Sequence, residues 1–278
     1  MFVDFDFDFD FYVKDFIFMA NMVIIKIGGS TIDAAGLLEE LAVGIRELCQ
    51  NHLPVIVHGG GKDIARELDR LNKEFTFVEG MRVTDEESVR VVQMVLSADV
   101  NKRIVNELLL KKVPAIGISG VDGALFTASR MSVNGQDIGF VGKIDRIDGK
   151  VIGALFEAGY IPVVSPVSRG IDGAIYNVNA DAAASELAMA LEADDLIFIS
   201  DVPGVKIDGA VRGVIKISEI EDLITAGQVT GGMIPKLRGA ADAVNRGVGR
   251  VHICGWNGSE TLTDELTEGK STGTIIQK

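Results

Sequence analysis

The chain is poor in the residues that cross-link or hold metals. It has two cysteines, Cys49 and Cys254, in 278 residues, and they form neither a disulfide-type nor a metal-type spacing. Cys49 falls on the apolar side of a helical pattern, which suits a buried free thiol. The three histidines, His52, His58 and His252, lack metal-ligand spacing. Positive charge is scarce as well: 27 Lys and Arg face 40 Asp and Glu, a net charge of −13. That excludes a nucleic-acid-binding role, which needs a basic face. It also means that an anionic ligand must be held by a few local cations placed against the overall field. No segment reaches the roughly 18 continuous apolar residues of a membrane span. Nothing resembles a secretory leader, so a cytoplasmic, reducing environment is expected.

Glycine, by contrast, is abundant and well placed. Val23-Ile-Ile-Lys26-Ile-Gly28-Gly29-Ser30 and Pro54-Val-Ile-Val-His58-Gly59-Gly60-Gly61 each run from an apolar segment into bare backbone. Such runs read as buried parallel strands. Ligands of open α/β sheets bind where these strands end. Glycine there lets backbone N–H groups approach an anion, and Lys26 adds positive charge. The pattern points to a phosphate site.

The first 18 residues stand apart. Asp4, Asp6, Asp8 and Asp10 alternate with Phe5, Phe7, Phe9 and Phe11, a period of two that excludes an amphipathic helix. Residues 1–21 are expected to be an extension outside the fold, disordered or preceding the functional start at Met19 or Met22. From Met22, strands and helices alternate. Strands are expected at Val23–Ile27, Pro54–His58, Ala115–Ser119, Ile161–Val164, Asp195–Ile199, Arg250–Ile253 and Gly273–Ile276. Helices are expected at Ala34–Gln50, Asp63–Leu71, Glu86–Lys111, Gly149–Ala158, Asp181–Leu191, Ile217–Ala226 and Met233–Arg246. Phe75–Val83 reads as an antiparallel excursion, with Thr84 or Asp85 capping the long helix that follows. Met94 and Met233 read as core. The order predicts an α/β fold, a three-layer αβα sandwich around a mainly parallel open sheet. Two lobes are expected, residues 22–192 and 193–278.

Two familiar phosphate motifs fail. Gly269-Lys270-Ser271 matches only the second half of a Walker loop, because the position five before Gly269 is Asp264. The dinucleotide fingerprint starting at Gly59 and Gly61 meets Ile64 where its third glycine belongs. What remains is a constellation. Arg82, in Gly80-Met-Arg82-Val-Thr-Asp85, precedes a helix and could clamp a carboxylate with its planar fork. Asn177-Val-Asn179-Ala-Asp181 opens another helix, Ser200-Asp201-Val-Pro-Gly204 follows a buried strand, and Gly231-Gly232-Met-Ile-Pro-Lys236 begins a third helix. Each also has a plainer reading. Lys26 could snorkel from a strand end, Asn177 to Asp181 could be helix capping, and Arg82 could form a surface ion pair. Lys236 could be a solvated side chain, and His58 a structural hydrogen-bonder.

Taken in order, these segments resemble the acetylglutamate kinase branch of the amino acid kinase family, from about Val23 to the C-terminus. Arg82 within Gly-x-Arg-Val-Thr-Asp is the most discriminating part. The resemblance implies ATP-dependent phosphorylation of the side-chain carboxylate of N-acetyl-L-glutamate, in arginine biosynthesis. It implies that Lys26 and Lys236 stabilise the transition state and that Asp181 orients them. Gly60, Gly61, Arg82, Asn177 and Asn179 would bind the acylglutamate. ATP would meet Gly28, Gly29, Ser200, Asp201, Gly204, Val205, Lys206, Val229, Thr230 and Met233. Mg²⁺ would arrive with the nucleotide, with no metal cage from the protein. The Phe/Asp alternation departs from the amphipathic N-terminal helix of arginine-inhibited hexameric members. With His252-Ile-Cys-Gly-Trp256, it points to a homodimer without arginine feedback. An acceptor such as N-succinylglutamate or an aminoadipate derivative is the alternative reading.

Overall fold

A computed structural model describes residues 20–28 and 36–278. The N-terminal extension up to residue 19 and Gly29 lie outside the described residues. Sixteen strands are found there. They are β1 (Asn21–Ile27), β2 (His52–His58), β3 (Phe77–Val78), β4 (Met81–Arg82), β5 (Ala115–Ser119), β6 (Phe126–Val133), β7 (Gln136–Ile147) and β8 (Ile161–Ser165). They continue with β9 (Val167–Gly170), β10 (Ile175–Val178), β11 (Asp195–Ser200), β12 (Lys206–Ile207), β13 (Ala210–Val211), β14 (Val214–Lys216), β15 (Arg250–Gly255) and β16 (Thr274–Gln277). The α-helices are α1 (Leu37–Leu48), α2 (Gly61–Arg70), α3 (Glu86–Gln93), α4 (Asn101–Leu110), α5 (Lys150–Glu157), α6 (Ala180–Ala190), α7 (Ile220–Thr225), α8 (Met233–Asn245) and α9 (Thr261–Leu266).

Eight strands form one sheet in the order β14-β16-β15-β11-β1-β2-β8-β5. Every pairing in it is parallel except β15 with β16. The apolar centres of β1, β2, β8 and β11 have no room for water, because helices cover both faces: α1 packs with α4, and α6 packs with α8. On α1, Leu41, Ala42, Ile45 and Leu48 form the buried stripe that the helical period requires. The αβα sandwich expected from the sequence is therefore present. Strands drawn from residues 22–192 make one half of the sheet, and strands drawn from 193–278 make the other.

Several elements differ from expectation. β6, β7, β9 and β10 close into a small barrel beside the main sheet, in stretches to which the sequence reading assigned no element. The long helix begins as expected, with the Asp85 Oδ1 accepting from Ser88 N–H at 2.8 Å. That backbone bond, with help from Lys73, holds the Asp85 carboxyl at about 2. The helix is not regular throughout, since Met94–Val100 form a π-helical turn between α3 and α4. Met94 is not core but 58% exposed, because the buried stripe there runs through Val91, Val92, Val95, Leu96 and Val100 on the other side. Met233 is half-buried against the core. Cys49 is a free, mostly buried thiol whose pKa desolvation pushes up to about 12.

Candidate active site

The chain reverses direction across the sheet between β1 and β11. From β1 it builds outward through β2 on one side, and it later returns to add β11 on the other. This is the topological switch point, where helices diverge and leave a crevice at the strands' carboxyl ends. Lys26 pairs with Phe198 in the β1–β11 register, and Ser200 ends β11 two positions later. The helix N-termini of α6 and α8 also face this edge, since side chains in their first turns reach Lys26 and Ser200. Each N-terminus carries partial positive charge suited to an anion.

Lys26 Nζ lies 2.8 Å from Asp181 Oδ1, with the lysine side chain largely shielded and the aspartate side chain 36% exposed. Asp181 sits in the first turn of α6 because Asn179 caps that helix. Its Oδ1 accepts from the N–H groups of Asp181 at 2.8 Å and Ala182 at 3.2 Å. The capping expected for this segment is thus present, and it also places the Lys26 partner. Lys236, in the first turn of α8, donates from Nζ to Ser200 Oγ at 3.0 Å. The two lysines are therefore tied to adjacent strands of one sheet, near one edge.

A cavity of about 190 Å³ opens at the glycines after β2 and reaches Asn179 and Ala180 at the start of α6, with neither lysine in its lining. It is lined by five residues expected to bind the acceptor: Gly60, Gly61, Arg82, Asn177 and Asn179. Arg82 is almost fully buried, and its Nη2 donates to Gly61 O at 3.0 Å. Its Nη1 is buried with no partner among the described residues. The guanidinium lies over the rings of Phe75 and Phe77, 4.0 and 4.8 Å from their centroids. Burial lowers its pKa from the usual value, yet arginine remains a cation. A desolvated cation with an idle N–H invites a carboxylate. Asn177 Nδ2 donates to Thr84 Oγ1 at 3.2 Å, and that hydroxyl donates to Arg82 O at 2.8 Å.

The residues expected around the nucleotide are spread along the loops after β11 and before α8. Thr230 is exposed, Lys206 is exposed on β12, and Met233 opens α8. Val205 is fully buried, with its N–H donating to Thr274 Oγ1 at 2.8 Å and its carbonyl accepting from Arg212 N–H at 2.9 Å. It shapes the loop and has no surface to offer a ligand. Val229 is buried too. Sequence reasoning missed Phe75, Phe77 and Thr84. The signal for the two aromatics was their spacing of two, with Phe77 on the hairpin strand directly opposite Arg82.

The amino acid kinase family profile matches residues 21–255. An acetylglutamate kinase of Kosmotoga olearia is 40% identical over 267 residues, covering 96% of this chain and 94% of that one. One from Methanopyrus kandleri is 40% identical over 264 residues, covering 92% and 100%. Among solved structures, an N-acetylglutamate synthase from Neisseria gonorrhoeae, complexed with coenzyme A and N-acetyl-glutamate, superposes with a TM-score of 0.82. It is 25% identical, covering 95% of this chain and 61% of that chain. A carbamate kinase from Giardia lamblia shares the fold at a TM-score of 0.66 and 20% identity, covering 93% and 99%. With motifs, fold and relatives in agreement, the chain belongs to the amino acid kinase family, on its acetylglutamate kinase branch.

Proposed function

We propose that this chain transfers the γ-phosphoryl group of ATP to the side-chain carboxylate of N-acetyl-L-glutamate, giving an acyl phosphate and ADP, a step of arginine biosynthesis. The observation that carries the reading is Arg82, with a buried and unpartnered Nη1, lining a cavity that extends to Asn179 and Ala180, next in the chain to the Asp181 that pairs with Lys26. Arg82 receives the substrate's α-carboxylate, while Asn177 and Asn179 meet its other polar groups. The acceptor carboxylate is already ionised near neutral pH, so the protein has no proton to remove. Its task is positioning and charge neutralisation. Lys26 and Lys236 flank the migrating group and stabilise charge on its oxygens, and Asp181 holds Lys26 in direction.

The nucleotide lies over the loops after β11 and before α8, from Ser200 to Lys206 and at Thr230 and Met233. Gly28 and Gly29 serve the phosphates from the β1 side. Mg²⁺ would arrive with the nucleotide and would supply further charge neutralisation at the phosphates. Asp181 is engaged by Lys26, which leaves it an orienting group. The strands from residues 22–192 support the acceptor, and those from 193–278 support ATP, as two lobes of one sheet. A homodimer in the cytoplasm completes the reading. No helix among the described residues is long and apolar enough to cross a membrane.

The test is a hydroxylamine trap for acyl phosphate with ATP, Mg²⁺ and N-acetylglutamate, run beside N-succinylglutamate and an aminoadipate derivative. Turnover on N-acetylglutamate is expected to be the fastest. Preference for another acceptor would transfer the assignment to it, and no product on any acylglutamate would reject the reading.

A further inference from the structure

His58 ends β2 directly before the three glycines, and it is fully buried behind them. Its Nδ1 lies 2.9 Å from Gly59 O, and its Nε2 lies 3.1 Å from Asn101 Nδ2. The orientation of the Asn101 amide is fixed by its other neighbours. Its Nδ2 faces two carbonyls, Val163 O at 3.0 Å and Ile118 O at 3.3 Å, while its Oδ1 accepts from Lys102 Nζ at 2.9 Å. An amide nitrogen accepts no hydrogen bond, so Nε2 carries no proton toward it, and Nδ1–H donates to Gly59 O, which can only accept. Burial, with Lys102 and Arg103 nearby, pushes the imidazole down to about 4, so this neutral form holds throughout the working range.

The peptide joining Gly59 to Gly60 is trans, so its C=O and N–H point in opposite directions. Holding Gly59 O inward at His58 turns Gly60 N–H outward, to the side where Gly60 lines the acceptor cavity. The π-helical turn closes the arrangement from behind. A Cβ on Gly60 would stand 2.6 Å from Leu96 Cδ2, and a Cβ on Gly117 would stand 1.8 Å from Asn101 Oδ1. Both glycines thus make room for the turn that seats Asn101. We propose that His58 is a positioning residue: through Gly59 it aims Gly60 N–H at the phosphoryl group in flight, in the tautomer that Asn101 imposes. This inference rests on the kinase reading above.

Two isosteric variants separate the bonds. In His58→Asn the side-chain amide nitrogen can replace Nδ1 and keep the bond to Gly59. In His58→Gln the amide reaches toward Asn101 and loses Gly59. The expected result is that His58→Asn retains most of kcat while His58→Gln loses about a hundredfold, with KM for ATP unchanged in both. Equal activities, or a more active His58→Gln, would overturn the inference. ¹⁵N NMR of the unmutated protein gives a reading independent of both folding of the variants and turnover. An Nδ1-protonated His58 supports the inference, and an Nε2-protonated one overturns it. Failure of the unmutated chain to make acyl phosphate would instead sink the kinase reading and leave the tautomer result standing.

Discussion

Lys26 and Asp181 meet at 2.8 Å across the gap between the end of β1 and the first turn of α6. A carboxylate so close to an ammonium fixes its direction, at the place where negative charge is to be stabilised. Replacing Asp181 with Asn keeps an acceptor oxygen and removes the charge. We expect kcat to fall by about ten- to a hundredfold, with both KM values nearly unchanged. The pH–rate profile should keep its shape, because Asp181 orients and does not accept a proton. Loss of an acidic limb in the variant would show that it acts as a base.

Lys236 reports on the other side of the transfer. Lys236→Ala should lower kcat by about a hundredfold while nucleotide affinity changes only a few-fold, as befits a contact strengthened in the transition state. Ser200→Ala removes the hydroxyl that Lys236 touches at 3.0 Å, and should cost far less, about threefold. Single-turnover rates with equilibrium ATP binding would check both. Equal losses in binding and rate for Lys236→Ala would contradict its role.

Arg82 should govern the acceptor alone. Arg82→Ala is expected to raise KM for N-acetylglutamate by about a hundredfold, the worth of a charge-assisted bidentate contact, with ATP binding preserved. Arg82→Lys should not restore it, because an ammonium cannot lie flat on Phe75 and Phe77 and still offer two parallel N–H groups. Isothermal titration with each substrate separately would distinguish this from a general loss of structure.

Two buried histidines should bend the stability profile in opposite directions. His58 titrates at about 4 when folded, below its ordinary 6.5, because burial disfavours the cation. The unfolded chain therefore binds the extra proton first. Its contribution is complete above about pH 6.5 and is withdrawn as pH falls toward 4, by about 3 kcal/mol. His252 is also fully buried, but Asp195 at 2.9 Å and Glu265 at 3.6 Å outweigh burial and raise it. Its contribution is complete below pH 6.5 and is lost as pH rises through the folded value. Thermal melts from pH 4 to 7 should show a shallower acid decline for His58→Asn than for the unmutated chain. Identical slopes would mean that His58 is not the group responsible.

The strands that carry the site were readable because their composition leaves little choice. Val23–Ile27 and Asp195–Ile199 are almost wholly apolar and end in glycine or polar residues, so only a buried parallel strand suits them. The barrel strands were not readable, because Thr127, Ser129, Arg130 and Ser132 in β6 alternate too weakly for a period-two pattern. β6 meets β7 across the short Asn134-Gly135 turn, but its other neighbour, β9, is distant in sequence, and that pairing closes the barrel. The π-helical turn was hidden for a related reason. No glycine, proline or change of period marks the turn in the sequence, and the residue it packs against, Gly60, is more than thirty positions away. In the site, charged and glycine residues stood out, whereas Thr84 and Asn101 did not. Their importance comes from hydrogen bonds to residues as far away as Asn177 and Val163.

The pairing of Lys26 with Phe198 has a mechanical corollary. Ladder hydrogen bonds hold neighbouring strands about 4.8 Å apart, and that spacing cannot stretch without rupturing the ladder. The floor beneath the two substrates is thus rigid. Whatever opens to admit them and shuts around them must hang from that floor, namely the β3–β4 hairpin and the loops leading into α6 and α8. Distant substitutions that alter turnover without weakening either substrate should accordingly cluster in those suspended parts and spare the strands.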